Sequence, residues 1–123
     1  MFINSHNMNF KTGRLVNDPI VNIDGQGNTI VNFQLVVGLP YLKDGKQATT
    51  LVSCKAFSHG TNKIADNIAK MTTKGSLVEI VGYDETQKYS KDGQDYYQQF
   101  IHVTQFNSME TKAKTMERRI NEN

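Results

Sequence analysis

Residues 76–106 read "SLVEIVGYDETQKYSKDGQDYYQQFIHVTQF", and this stretch decides the fold. Two long runs rich in β-branched and aromatic residues flank the pair Asp92-Gly93. Asp-Gly is strong turn chemistry, so the runs read as two long strands folded back on each other. Gly82 interrupts the first run and predicts a bend. In the second, Tyr97 alternates with Gln99, Ile101 and Val103, which assigns Tyr97 to the core. Tyr96 and Phe100 then point to the opposite face.

Working outward, the period changes just before this stretch. In "TNKIADNIAKM", Ile64, Ala65, Ile68, Ala69 and Met71 form one face at helical spacing. Thr61 is placed to cap the start and Gly75 to follow the end. Before the helix the chain is again strand-like. "MNFKTGRLV" alternates loosely, with Gly13 as a second bend. "DGQGN" (residues 24–28) separates "PIVNI" from "NTIVNFQLVVG" and predicts a hairpin. "LPYLKDGKQ" reads as a loop, and "TTLVSCKAF" as a further strand. From Glu110 the chain turns charged, a short helix or a tail.

Five main strands with one helix between the third and fourth, and glycine bends in long strands, predict an all-β closed barrel. Closure removes exposed sheet edges. The order fits the five-stranded Greek-key barrel known as the OB-fold, over residues 1–107, with residues 108–123 as a short charged tail.

Composition narrows the function. A chain of 123 residues suits one domain. The net charge of +2 is too small to mark a nucleic-acid binder without a local patch. The lone Cys54 forbids an intrachain disulfide and fits a reducing, cytoplasmic setting, as a buried small hydrophobe. No apolar run approaches a membrane span, and the N-terminus lacks signal-peptide character.

Several stretches resemble a known family. "GRLVNDPIV", "GNTIVNFQL", "KAF", "KIAD", "KGSLVEIVG" and "KYSKDGQDYY" occur in the order and spacing of bacterial-type single-stranded DNA-binding proteins. The resemblance covers about residues 8–106. It implies an OB-fold that assembles as a homotetramer and coats single-stranded DNA in replication, recombination or repair, without enzymatic activity or cofactor. Family stacking positions fall on Tyr41, Phe57 and Tyr89, while a family tryptophan position falls on Leu51. Such a coat needs aromatic faces for bases and cations for phosphates. The cations are Arg14, Lys43, Lys46, Lys55, Lys63, Lys88 and Lys91, which matter together only if the fold gathers them. Tyr96 and Phe100 fit either DNA or a neighbouring subunit.

Other chemistries lack a motif. His6, His59 and His102 are scattered, so no metal site is expected, and His102 reads as a surface or interface residue. No local motif suggests a catalytic residue, and an OB-fold nuclease would need clustered carboxylates. An OB-fold that binds a protein partner in a replication or primosome complex stays open, because fold does not fix function.

Three departures from the family stand out. There is no tryptophan. "SHGTN" lengthens the link before the helix. The chain ends with "ETKAKTMERRINEN" from Glu110, where Lys112, Lys114, Arg118 and Arg119 outnumber the acidic groups. The acidic partner-recruiting tip of the family is not expected here, which suits a short virus- or plasmid-encoded member.

Overall fold

A computed structural model describes residues 7–110 together with Lys114, Glu117 and Ile120, the last three helical. The strands are β1 (Asn9–Leu15), β2 (Ile20–Ile23), β3 (Thr29–Lys43), β4 (Lys46–Phe57), β5 (Leu77–Lys91) and β6 (Gln94–Ser108). Between β4 and β5 lies α1 (Ile64–Met71). Five strands close on themselves: β1 pairs β3, β3 pairs β4, β4 pairs β6, β6 pairs β5 and β5 returns to β1. The β4–β6 ladder is parallel and the others are antiparallel. This is the expected OB-fold barrel with its helix between the third and fourth barrel strands. The stretch "PIVNI" supplies β2, a short further strand that, among the described residues, pairs with β3 alone.

Alternation explains the core. Val31, Phe33 and Leu35 of β3 point inward and meet Cys54 and Ala56 of β4, Val78 and Ile80 of β5, and Ile101 and Val103 of β6. From α1, Ala65 and Ile68 join them. Gly13 lies where β1 leaves β5 for β3, and a side chain there would strike the Val36 carbonyl. Gly82 sits at a bulge against the His102 carbonyl. Both predicted bends are therefore close backbone approaches at barrel corners.

Four local expectations are corrected. Thr61 does not cap α1; Asn62 Oδ1 accepts from the Ile64 N–H at 3.0 Å, and Ser58 Oγ from the Asp66 N–H at 3.1 Å. The helix ends at the extended Thr72, whose N–H and hydroxyl both donate to the Ile68 carbonyl. Gly75, at φ 87°, instead serves the turn in which the Ser76 N–H reaches the Thr73 carbonyl.

The segment read as a loop around Asp44-Gly45 is strand up to a two-residue turn. Asp44 and Gly45 have φ of 52° and 79°, and Asp92 and Gly93 have 54° and 78°, the signature of type I′ hairpin turns. Pro40 is accommodated because the ladder loses register between Gly38 and Leu42.

Tyr97 is not core: it is 68% exposed. Its alternation with Ile101 and Val103 is real. But β5 and β6 run on past the barrel as a two-stranded arm, where residues 84–99 have no second layer to bury them.

Candidate nucleic-acid interface

Side chains two apart on a strand share a face, as do residues directly opposite on neighbouring strands. Applied to these ladders, the rule defines one continuous outer face. One row runs Ile20, Asn32, Lys55, His102 and Tyr83 through β2, β3, β4, β6 and β5. On β4 the same face carries Leu51, Ser53 and Phe57, opposite in direction to buried Cys54 and Ala56. On the β5–β6 arm it carries Glu85 beside Phe100, Gln87 beside Gln98, and Tyr89 beside Tyr96.

Two aromatic groups stand on this face. At the barrel wall, His102 stacks on Tyr83 with centroids 4.8 Å apart and meets Phe57 at 5.0 Å. On the arm, Tyr89 stacks on Tyr96 at 5.4 Å, with planes 20° apart. Between the groups, the Lys55 ammonium lies 4.7 Å over the Phe100 ring and donates to Gln87 Oε1 at 3.0 Å. Phe100, left open between two roles, is buried under Lys55, whereas Tyr96 presents its ring beside Tyr89.

The candidate residues separate by location. Lys55, Phe57 and Tyr89 share the outer face, and Lys91 follows by alternation from Tyr89. Lys88 points to the other side of the arm, where it pairs with Asp95 at 3.4 Å. Tyr41 belongs to β3, not to a loop, and is 58% exposed. Lys43 lies directly across from Lys46 at the tip of the β3–β4 arm. Alternation from the Leu42–Gln47 pair sets Tyr41, Lys43 and Lys46 on the opposite side of that arm from Leu51. Arg14 shares a row with Val36 and Leu51, but its guanidinium donates to the Gly75 carbonyl at 3.0 Å and pairs with Glu110 at 3.6 Å. Lys63 stands at the head of α1, off the strand face.

Sequence reasoning missed Tyr83, His102 and the pairing of Tyr96 with Tyr89. A signal existed: a two-residue turn at Asp92-Gly93 fixes the register, which puts Tyr89 opposite Tyr96 and Tyr83 opposite His102.

The electrostatics of the face are mixed. Glu85 Oε2 is 3.2 Å from His102 Nδ1, and the Tyr83 hydroxyl is 3.0 Å from the same nitrogen. Burial, and then the Glu85 charge, push the Tyr83 hydroxyl above its usual value, so it stays protonated and neutral. Burial pushes the Cys54 thiol up to about 12, which leaves it an inert core group. Among the described residues, no cluster of three or more His, Cys, Asp or Glu is arranged to hold a metal ion. The face offers flat rings, interleaved amides and a few cations, suited to stacked bases and spaced phosphates.

Residues 7–109 match the model of the Single-strand binding protein family. A Staphylococcus epidermidis protein named single-stranded DNA-binding protein is 32% identical over 106 residues, covering 85% of this chain and 77% of the relative. A Lactiplantibacillus plantarum protein of the same name is 29% identical over 111 residues, covering 89% of this chain and 54% of its own length. A Streptococcus agalactiae single-stranded DNA-binding protein 2 is 38% identical over 52 residues, covering 42% of this chain and 40% of the relative. The chain thus spans most of the first of these proteins and about half or less of the other two.

Proposed function

The chain belongs to the single-strand binding protein family, and we propose that it coats single-stranded DNA with little dependence on sequence during replication, recombination or repair. The family is one of DNA-binding proteins rather than enzymes. The observation that carries the reading is the continuous outer face, where Phe57, Lys55 and the Tyr89–Tyr96 stack lie on one side of adjacent strands. Bases stack on Phe57, Tyr89 and Tyr96, while Lys55 and Lys91 meet phosphates. Tyr41, Lys43 and Lys46 stand on the far side of the β3–β4 arm, so a strand reaches them only by wrapping around that arm. Arg14, Lys63 and Lys88 add long-range attraction.

Residues 1–107 are the proposed binding unit, followed in sequence by the charged residues 108–123. The protein works in the cytoplasm; no described helix is long and apolar enough to cross a membrane. A homotetramer is the proposed assembly, supported by the exposed apolar side chains of Met8 and Phe10 near the N-terminus and Val21 and Ile23 on the side of β2 away from the outer face. Sedimentation at micromolar concentration tests it, and a monomer there overturns it.

Fluorescence anisotropy of a labelled oligo-dT, at two salt concentrations with duplex competitor, tests the coat. Tight binding that weakens with salt and resists the duplex is the expected result. No binding at low salt overturns the reading.

A further inference from the structure

Among the described residues of the outer face, His102 alone carries a side chain of the type whose charge changes near neutral pH. It sits in the row between Lys55 of β4 and Tyr83 of β5, and its side chain is 25% exposed. Glu85 Oε2 lies 3.2 Å and the Tyr83 hydroxyl 3.0 Å from its Nδ1. A carboxylate can only accept, so this approach assigns the proton of the neutral ring to Nδ1. The Tyr83 hydroxyl tolerates that proton, because it can accept as well as donate. Nε2 is then a bare acceptor. It has no hydrogen-bond partner among the described residues, and no described polar side-chain atom is both buried and unpartnered. Nε2 is therefore open to solvent.

We propose that His102 is a further DNA-contacting residue, which meets a backbone phosphate through Nε2 only as the imidazolium, so that strand binding takes up a proton. The inference rests on the coat reading above and deepens it. With a neutral ring, Glu85 and His102 set a negative charge and a lone pair against a polyanion. Protonation removes both: it cancels the carboxylate charge and turns Nε2 into a charged donor, the stronger kind of partner for an anionic oxygen. Phosphate and proton then favour each other's binding, as linkage requires. The other groups facing His102 fit this role. Lys55, its partner across the parallel ladder, is a like charge to the imidazolium, and a phosphate between the two relieves that repulsion. Tyr83 stays neutral, and Phe57 of β4, Phe100 of β6, Asn32 of β3 and Ile20 of β2 carry no charge. The contact meets a phosphate and not a base, so binding stays tolerant of sequence.

The test is anisotropy of labelled oligo-dT with the full chain at about pH 6 and about pH 8, which brackets the titration of imidazole. Thymine and phosphodiesters keep their charge between these values, so a change reports on the protein. Wild-type affinity should fall about threefold or more from the lower pH to the higher, in the range of an exposed ion pair. The log-log salt slope should lose about 0.7 of its magnitude, the equivalent of one phosphate. His102→Gln, neutral at both pH values, should bind at both as the wild type does at the higher. His102→Arg, charged at both, should bind at both as the wild type does at the lower. His59→Gln, in the link before α1, should keep the wild-type pH dependence. Calorimetry of the wild type in two buffers of different ionisation enthalpy gives a reading that needs no variant, and net proton uptake on binding is the expected result. Absence of proton uptake overturns the proposal, and so does a full pH dependence retained by His102→Gln. If oligo-dT binds equally at the two pH values, the His102 contact fails and the coat stands. If oligo-dT binds at neither, both fail.

Discussion

At the level of single residues, Tyr89 shows how much one neighbour matters. It stacks on Tyr96 across the arm, so the pair presents a wider, stiffer platform than one exposed tyrosine. Leu51 is the contrasting case. It is 61% exposed on the same face of β4 as Phe57, and leucine offers no π-face. Replacing it should gain one stacking contact without disturbing the core. Leu51→Trp should tighten oligo-dT binding by about fivefold or more, given roughly 1–3 kcal/mol per stacked base. Anisotropy reads this directly, and unchanged affinity would place Leu51 outside the path of the strand. Glu85 acts in the other direction, as a carboxylate among groups proposed to meet a polyanion. Glu85→Gln should strengthen binding roughly severalfold at low salt, with the gain fading as salt rises.

The elements set where these residues can stand. The bulge at Gly82 lets β5 turn the barrel corner beneath the Tyr83–His102 stack. A Cβ there would collide with the His102 carbonyl and lie 2.8 Å from Ile101 Cγ2. Gly82→Ala should therefore cost about 1–3 kcal/mol of stability, read as a shift in the urea midpoint. The helix is tied to the barrel through Asp66, whose carboxylate accepts from the Thr29 hydroxyl at 2.7 Å and from the Ser58 side chain, while its N–H donates to Ser58 Oγ. These bonds, Thr29 first, hold its carboxyl below the usual 3.8. A depressed native value means the unfolded chain binds the proton more readily. The stabilisation is complete above the unfolded value and is lost as pH falls through the lower native one. Asp66→Asn should flatten acid unfolding in that window, and an unchanged acid limb in a pH-dependent melting series would refute the assignment. The elements were largely readable in advance, because hydrophobic alternation and Asp-Gly turns are local. The loop reading of residues 39–47 failed because a proline suggested a break, and a bulge in the β3–β4 ladder absorbed it.

For the molecule as a whole, the question is which cations the barrel gathers. Lys55 is on the outer face, Lys88 is paired with Asp95 behind the arm, and Lys63 is at the head of α1. A contacting lysine should add about 0.7 to the magnitude of the log-log salt slope for a single strand. Lys55→Gln should reduce that slope by about this amount, whereas Lys63→Gln should change it much less. Equal effects at both positions would show that only net charge matters.

The sequence by itself determined the strand order, the single helix before β5, the corner glycines and the turn chemistry. Each of these depends on residues close together along the chain. Its family motifs also carried Phe57 and Tyr89 to the outer face. Only the tertiary structure decided that Tyr97 is exposed, that Phe100 lies under Lys55, and that Lys88 turns away from Tyr89. Alternation gives a side chain's direction, but burial needs a second layer, and that layer ends at the barrel rim. The aromatic row of Phe57, His102 and Tyr83 joins three strands that meet through a parallel ladder and a hairpin. Such a site exists only once the sheet has closed, because no local rule brings β4 beside β6.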